Sequence, residues 1–200
     1  MDEKTIEVYD RTADGYEAHT ADFWAKMPQP AFIETFAAAL DGLRVLDVGS
    51  GPGRDAQIFF ERGLRPICLD ASVAMARLAA QKRLTSMQAD FAHLPFGDAS
   101  FDGVWAYTSL LHVPKAQVDR PLAEIRRVLK RGGIFGLGLF EGASEEYRDV
   151  RGNGNPRWFS YYLAEEVYDL LVRHGFRLVR FGKIKASSMT SLHFLAWKDR

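Results

Sequence analysis

The sequence predicts a single α/β domain whose mostly parallel β-sheet is covered by helices on both faces. From Leu43 onward, short apolar runs of strand character alternate with longer runs of helical periodicity, the pattern of successive β-α-β units. The 200 residues are 47% hydrophobic, which is enough for one well-packed core. We therefore expect one domain over residues 1–200, in four stretches: a helical N-terminal cover (1–40), a ligand-binding core (41–140), an insert (141–162) and a C-terminal helix with two strands (163–200).

Five strands and three helices are predicted in the core. The strands are apolar or β-branched runs: RVLDVG (44–49), RPICLD (65–70), TSMQA (85–89), FDGVWAY (101–107) and GIFGLGLF (133–140). Helical periodicity lies between them, at 54–61, 72–83 and 115–130. The last of these helices is expected to end at KRGG, where a glycine can take the left-handed conformation that closes a helix.

Helices are also predicted near both ends of the chain. Ile6, Tyr9, Ala13 and Tyr16 recur at intervals of three and four, so one apolar and aromatic helical face is expected there. Further helices are predicted at 31–40 and, after the glycine-rich RGNGNP, at 164–174. Two final runs, FRLVRFG and SLHFLAW, alternate with the strand period and can close the sheet as an antiparallel pair.

Composition disfavours several classes of function. Basic and acidic residues number 26 each, and this balance lacks the charge excess typical of nucleic-acid and membrane-surface proteins. The charged start MDEKTIEVYDR has no signal-peptide core, and no apolar run reaches membrane-spanning length, so a cytoplasmic protein is expected. The lone cysteine, Cys68, lies in an apolar run and is expected to be an inert core thiol.

The most informative motif is VLDVGSGPGRDA, a strand followed by glycines at every second position. A parallel strand that ends in such a turn and opens a helix lets backbone amides approach a ligand closely. Gly51, Gly53 and Ala56 satisfy the dinucleotide fingerprint, and Asp70 lies about 20 residues on, where a ribose-binding acid belongs. Asp47, however, lies in the strand just before the glycines. Its charge would repel a pyrophosphate but would favour a cationic sulfonium.

The ordered blocks of this sequence resemble the class I S-adenosylmethionine-dependent methyltransferases, in particular the small bacterial proteins of the type 11 and 25 groups. The similarity covers roughly residues 40 to 180: VLDVGSGPG, CLDAS, ADF, FDGVWAYTSLLHV and LKRGGIFGLGLF follow one another as the family's strand-end motifs do. The resemblance implies a Rossmann-like seven-stranded sheet of order 3-2-1-4-5-7-6 with the last strand antiparallel. It also implies S-adenosylmethionine as cofactor, S-adenosylhomocysteine as product, and no metal.

The same resemblance assigns a cofactor site. Asp47 would organise it, the backbone around Gly49 and Gly51 would face the cofactor, Asp70 would bind both ribose hydroxyls, and Asp90 with the amide of Phe91 would bind adenine. The full set of expected cofactor-binding residues is Tyr16, Asp47, Gly49, Ser50, Gly51, Gly53, Asp70, Ala71, Ser72, Asp90, Phe91 and Ala106.

Each acid also has a structural alternative. Asp47 can brace the turn, Asp70 can be the acid at a helix start before Ser72, and Asp90 can be an ordinary loop residue. Their position at the ends of three successive strands favours the functional interpretation, because open parallel sheets bind ligands at that edge. The pair Arg54–Asp55 is left out of the predicted site, since a charged pair in a first helical turn has common local reasons.

Methyl transfer from a sulfonium needs mainly positioning and desolvation of the nucleophile. Candidates near the methyl group follow the fourth strand, and of these Tyr107 and His112 are the predicted catalytic residues. His112 is the general-base candidate for a hydroxyl or thiol acceptor, given an unperturbed pKa of about 6.5. Packing before Pro114 is its structural alternative.

An aromatic insert and the N-terminal helix are expected to surround the acceptor. The predicted substrate residues are Trp24, Arg157, Trp158, Tyr161 and Tyr162, a set that suits a small, flat or anionic molecule. Tyr16 would contact the cofactor from a helical lid, although an aromatic stripe is also typical of plain core. Leu163 stands where relatives carry a small hydroxyl residue as helix cap.

The predicted function is methyl transfer to an O, N or S nucleophile of a small molecule. Alternatives are a tRNA-modifying methyltransferase, a non-catalytic cofactor-binding module and an NAD(P)-dependent oxidoreductase. The expected partner is a small-molecule substrate rather than nucleic acid or membrane, and the expected state is a monomer or homodimer.

Overall fold

The structure is a computed structural model that describes residues 1–25, 29–150, 152–186 and 189–199, without the side chains of 21–25, 29 and 186. Within these ranges, nine strands are formed. They are β1 (Arg44–Val48), β2 (Arg65–Asp70), β3 (Thr85–Gln88), β4 (Phe101–Tyr107), β5 (Leu129–Phe140), β6 (Glu145–Arg148), β7 (Arg157–Ser160), β8 (Phe176–Ala186) and β9 (Met189–Lys198).

Seven of these strands make one sheet in the order β3-β2-β1-β4-β5-β9-β8. The strands from β1 to β5 pair in parallel, whereas β9 is antiparallel to both β5 and β8. The predicted fold class is therefore confirmed. Without β6 and β7, the order reads 3-2-1-4-5-7-6, as expected from the resemblance. Since β1 lies beside β2 and β4, the turn after β1 lies at the middle of the sheet.

Seven α-helices surround this sheet in the described part of the chain. They are α1 (Glu3–Thr12), α2 (Tyr16–Ala25), α3 (Gln29–Ala38), α4 (Arg54–Glu61), α5 (Val73–Gln81), α6 (Asp119–Val128) and α7 (Ala164–Arg173). The predicted bounds of α4 are met, because Gly53 precedes the helix and Gly63 lies in the turn that follows it. Ser72 begins α5 by accepting a hydrogen bond from the amide of Met75 at 3.1 Å.

The structure corrects the predicted helix at 115–130. A 3₁₀ turn, Lys115–Gln117, precedes α6, and α6 ends at Val128. The loop before β4 ends the helix, since the amides of Ala99 and Ser100 donate to the last carbonyls, those of Arg127 and Val128. Strand β5 begins at Leu129, directly after α6, so the glycine cap expected at KRGG is wrong. Gly132 does have a left-handed φ of +72°, but it lies inside β5.

The N-terminal periodicity also continues over two helices instead of one. Gly15, with φ +78°, separates α1 from α2. In α1 the buried side chains are Thr5 and Val8, while Tyr9 is only partly buried. The regular recurrence of Tyr16 hides this break, because its position fits the helical spacing of the preceding residues.

A two-stranded antiparallel hairpin, β6–β7, lies outside the main sheet and was not predicted. Its register pairs Arg148 with Arg157 and Tyr147 with Trp158. The first strand, EEYR, is exposed and has no apolar alternation that would identify it. Helix α1 holds the hairpin, since the Tyr147 hydroxyl donates to Asp2 Oδ1 at 2.7 Å and the Trp158 amide donates to Thr5 Oγ1 at 2.8 Å.

The α7 start at Leu163 is stabilised without a hydroxyl cap. Glu166 reaches back and accepts a hydrogen bond from the Leu163 amide through Oε2 at 2.7 Å. The core itself lies on the sheet and is rich in aromatic rings; Trp105, Phe36 and Phe59 pack together there. No helix in the described ranges is long and apolar enough to cross a membrane.

Candidate active site

The three glycines after β1 are required for two different structural reasons. All take left-handed φ values, +69° at Gly49, +54° at Gly51 and +78° at Gly53. A Cβ on Gly49 would lie 2.3 Å from Ser109 Cβ, and one on Gly53 would lie 2.5 Å from Leu84 Cδ1. A Cβ on Gly51 would meet nothing within 4 Å. Gly49 and Gly53 therefore permit close packing, whereas Gly51 faces open space.

That open space is a cavity of about 300 Å³ at the carboxyl ends of β1, β2 and β4. Eight of the predicted site residues line it: Tyr16, Asp47, Gly49, Ser50, Gly51, Asp70, Tyr107 and His112. Parallel sheets bind ligands at this edge. We call it the first cavity.

Asp47 lies buried at the end of β1, where one carboxylate oxygen has a backbone partner at Ala56. Its other oxygen, Oδ2, has no hydrogen-bond partner in the part of the chain that the structure describes. Burial, together with the negative charge of Asp55, raises the pKa of Asp47 well above its usual range. A buried acceptor without a partner is costly, so this wall of the cavity suits a ligand that brings a hydrogen-bond donor or a positive charge.

Asp70, at the end of β2, connects the glycine turn to α5. Its Oδ2 accepts from the Gly51 amide at 2.8 Å, and its Oδ1 accepts from the Ser72 amide at 2.9 Å. Burial raises the pKa of Asp70 to about 6 despite these two hydrogen bonds. The cap role considered from the sequence is therefore present, and the same carboxylate also lines the first cavity.

Arg54 and Asp55, which the sequence prediction left out, both line the first cavity. Asp55 is buried and accepts from Trp105 Nε1 at 2.8 Å and from Arg54 Nε at 2.6 Å. These contacts fix the guanidinium at the cavity wall. The local pattern did not reveal this role, because Trp105 comes from β4, about fifty residues later in the chain.

Six residues predicted to bind the cofactor are not among the described residues that line the first cavity: Gly53, Ala71, Ser72, Asp90, Phe91 and Ala106. Ser72 caps α5 and donates to Asp10 Oδ1 at 2.6 Å, which attaches α1 to α5. Asp90 is partly exposed, and its Oδ1 accepts from the Ala92 amide at 2.9 Å. Phe91 is fully buried in the core.

A chain of hydrogen bonds joins α1, the loop after β4 and the hairpin. His112 Nδ1 lies 2.6 Å from the Trp158 carbonyl oxygen, which can only accept, so Nδ1 carries the proton and Nε2 accepts. The Tyr9 hydroxyl lies 2.8 Å from Nε2 and donates to it, while Arg157 Nη1 donates to the Tyr9 oxygen at 2.7 Å. Burial lowers the pKa of His112 to about 3, so its imidazole is neutral.

A second cavity, of about 230 Å³, adjoins the first. The two share four lining residues, Tyr9, Tyr16, Thr20 and Thr108. The wall that belongs to the second cavity alone is mostly aromatic and apolar. It comes from α2, the loop after β4, the β5 end, the insert and β9, and its residues are Leu111, Phe140, Val150, Phe159, Tyr161 and Met189, with His19 and Arg157. If each cavity held one ligand, the two ligands would be in contact between α1–α2 and the loop after β4.

The predicted substrate residues divide between several places. Arg157 and Tyr161 line the second cavity. Trp158 instead packs edge-on against Tyr147 and donates from Nε1 to Ser160 Oγ at 3.0 Å. The buried hydroxyl of Tyr162 has no hydrogen-bond partner among the described residues, and Tyr162 lines neither cavity. The side chain of Trp24 lies outside the described residues.

Comparisons with known proteins agree with this architecture. A family model described as a methyltransferase domain matches residues 46–137. The chain is 31% identical over 192 residues to the malonyl-[acyl-carrier protein] O-methyltransferase of Geobacter sulfurreducens, covering 88% of this chain and 71% of that one. It is 40% identical over 102 residues to a demethylmenaquinone methyltransferase of Thermobifida fusca, a match that spans 48% of this chain and 42% of the relative.

A solved structure has the same fold. It is the 1,6-didemethyltoxoflavin-N1-methyltransferase of Burkholderia thailandensis, solved with 1,6-didemethyltoxoflavin and S-adenosylhomocysteine bound. The TM-score is 0.73 at 24% identity, over 98% of this chain and 88% of that one.

Proposed function

The chain belongs to the class I S-adenosylmethionine-dependent methyltransferases, and from this premise we propose that its first cavity holds the cofactor and its second the small-molecule acceptor. The observation that carries this proposal is the unpartnered Asp47 Oδ2 beside Gly51 and Asp70 in one wall. A donor-rich, cationic ligand would satisfy that oxygen. A nicotinamide dinucleotide would instead place its pyrophosphate among Asp47, Asp55 and Asp70, which is electrostatically unfavourable.

The residues of the first cavity fit S-adenosylmethionine. The side chains of Asp55 and Asp70 supply negative charge for the ammonium and sulfonium groups, Asp47 Oδ2 offers a hydrogen-bond acceptor, and Arg54 supplies a cation for the cofactor's carboxylate. Gly51 leaves room for the ligand to approach the backbone. Asp70 would accept hydrogen bonds from the ribose hydroxyls. When bound, the cofactor supplies an activated methyl group whose leaving group is a neutral thioether.

The protein then has to orient the acceptor and exclude water. We propose that Tyr9, Tyr16, Thr20 and Thr108, the residues shared by the two cavities, surround the path between donor and acceptor. Tyr107, which lines the first cavity, would form the wall beneath this path. Its hydroxyl lies 3.1 Å from His193 Nε2, and this contact holds the side chain in place. Helices α1 and α2 would act as the cover over this path, with Tyr16 touching both ligands.

His112 stays a proposed catalytic residue, with a narrower role than a free general base. Its Nε2 accepts from the Tyr9 hydroxyl, so a proton from an acceptor would reach it only through Tyr9. The low pKa also makes the imidazole a weak base. We therefore propose that the site favours acceptors whose nucleophilic atom is already anionic, such as a carboxylate oxygen, or is the nitrogen of an uncharged amine, since neither needs a base.

Calorimetric titration of the purified protein with S-adenosylmethionine, S-adenosylhomocysteine, NAD and NADP tests the cofactor. We expect micromolar binding of the first two alone, and weaker binding in Asp70→Asn. Asp98→Asn is the matched control, because Asp98 is an exposed carboxylate that pairs with Arg127 and does not line the first cavity. Binding of a nicotinamide, or equal affinities in both variants, would contradict the proposed site.

A further inference from the structure

The two cavities differ in charge. The first is lined by Glu17, Asp47, Asp55 and Asp70 against the single guanidinium of Arg54. The described wall of the second contains no aspartate or glutamate, and its permanently charged side chain is Arg157. A sulfonium cofactor and its acceptor would thus meet walls of opposite sign. The second wall is unfavourable for a cation and favourable for an anion.

Arg157 is held in place but has unused hydrogen-bonding capacity. Its guanidinium lies over the Tyr9 ring, 5.1 Å from the centroid, and 5.5 Å from the centroid of Phe159. Nη1 donates to the Tyr9 hydroxyl, which is its one side-chain hydrogen-bond partner among the described residues, whereas a guanidinium offers five N–H donors. No ion pair joins it to a carboxylate in the described ranges, although the negative charge of Asp149 favours its charged form.

The neighbouring arginine of the hairpin is different. Arg148 pairs with Arg157 in the strand register, but it is exposed and lines neither cavity. Its Nη1 donates to the Tyr161 hydroxyl at 2.8 Å. The hairpin therefore directs one arginine into the second cavity and leaves the other on the surface, which provides an internal control.

From this geometry, and resting on the proposed function, we infer that Arg157 binds an anionic group, a carboxylate or a phosphate, of an acceptor whose apolar or aromatic body lies against Phe159, Tyr161 and Phe140. The rings of Tyr9 and Phe159 pack against the planar guanidinium, whose remaining N–H donors can bind two oxygens side by side. Arg157 is thus the residue that sets acceptor charge specificity. Neutral analogues would leave this guanidinium desolvated and unpaired.

The test measures binding and requires no turnover. Protein saturated with S-adenosylhomocysteine is titrated with 3-phenylpropanoate, with 2-phenylethyl phosphate and with the neutral 3-phenylpropanamide. We expect at least one anion to bind roughly 10- to 100-fold more tightly than the amide, as charge-assisted hydrogen bonds to one group allow. The preferred anion identifies which of the two groups the acceptor carries.

Three variants decide the role of Arg157. Arg157→Gln should abolish the preference for the anion, Arg157→Lys should keep part of it, and Arg148→Gln should leave it unchanged. All three should still bind S-adenosylhomocysteine, which shows that they fold. Equal affinity for acid and amide, no binding of either anion at millimolar concentration, or a preference that survives in Arg157→Gln would overturn the inference. If the wild-type protein itself did not bind S-adenosylhomocysteine, that result would instead refute the proposed function.

Discussion

Asp70→Asn separates a ligand-binding role from a structural one, because the two roles predict different effects on stability. Asp70 accepts two backbone hydrogen bonds, from the amides of Gly51 and Ser72. If its role were only to cap these amides, the fold would depend on both bonds. Yet burial raises the pKa of its carboxyl to about 6, so the ionised form is disfavoured in the folded protein. Asparagine keeps the shape and one acceptor oxygen but removes this buried charge.

The magnitudes follow from that shift. The pKa lies about two units above its ordinary value of 3.8, and each unit is worth 1.36 kcal/mol, so the ionised carboxylate costs about 3 kcal/mol of folding free energy above pH 7. Losing one backbone hydrogen bond costs about 1–3 kcal/mol, which offsets the stability gained by removing the buried charge. Cofactor binding, in contrast, should weaken by about 1–3 kcal/mol, or roughly 5- to 150-fold, through lost charge-assisted bonds to the ribose.

The assay combines calorimetry with thermal unfolding at pH 8. We expect a clear loss of S-adenosylmethionine affinity with a Tm within about 4 °C of wild type, since about 1 kcal/mol shifts the Tm of a chain of this size by 2–4 °C. A folded variant with unchanged affinity would remove Asp70 from the site. A large fall in Tm that accompanies the loss of affinity would show that the residue is mainly a cap.

Three further predictions follow from the site. Because ribose hydroxyls bind ionised Asp70, S-adenosylmethionine affinity should fall about tenfold from pH 7 to 5 by calorimetry, and Asp70→Asn should flatten this dependence. Gly51→Ala should cost about 1 kcal/mol of stability through its positive φ and should block cofactor binding. Gly53→Ala should destabilise the protein more, because its added Cβ would clash with Leu84. Urea unfolding measures the loss of stability of each variant, and calorimetric titration measures its cofactor binding. The His112 imidazole is neutral in the folded protein, whereas in the unfolded chain it takes up a proton below about pH 6.5. Its contribution to the free energy of unfolding is therefore complete above pH 6.5 and is lost as the pH falls towards 3. Between pH 7 and 5 wild type should therefore lose about 2 kcal/mol more than His112→Gln, and equal losses would contradict a buried neutral imidazole.

Sequence alone determined the sheet and the helices that flank its centre. The runs RPICLD and FDGVWAY form strands with the predicted bounds, because β-branched and aromatic residues there are bounded by turn residues. Helix α4 was equally clear. These elements have strong local signals, and each contributes to the motif order by which the family resemblance was identified. The acids Asp47 and Asp70 were therefore located correctly at the edge that forms the first cavity.

Tertiary structure decided which side chains meet there. Tyr9 and His112 are hydrogen bonded across 103 positions of sequence, and Trp105 and Asp55 across 50, separations that no local pattern encodes. The exposed strand Glu145–Arg148 forms because it pairs with the strand Arg157–Ser160 and because its Tyr147 donates a hydrogen bond to Asp2 at the start of α1. Local periodicity reports which face of an element is apolar. Partner choice, and with it the pKa of a buried group, depends on which distant elements exclude water from it, and only the folded chain determines that.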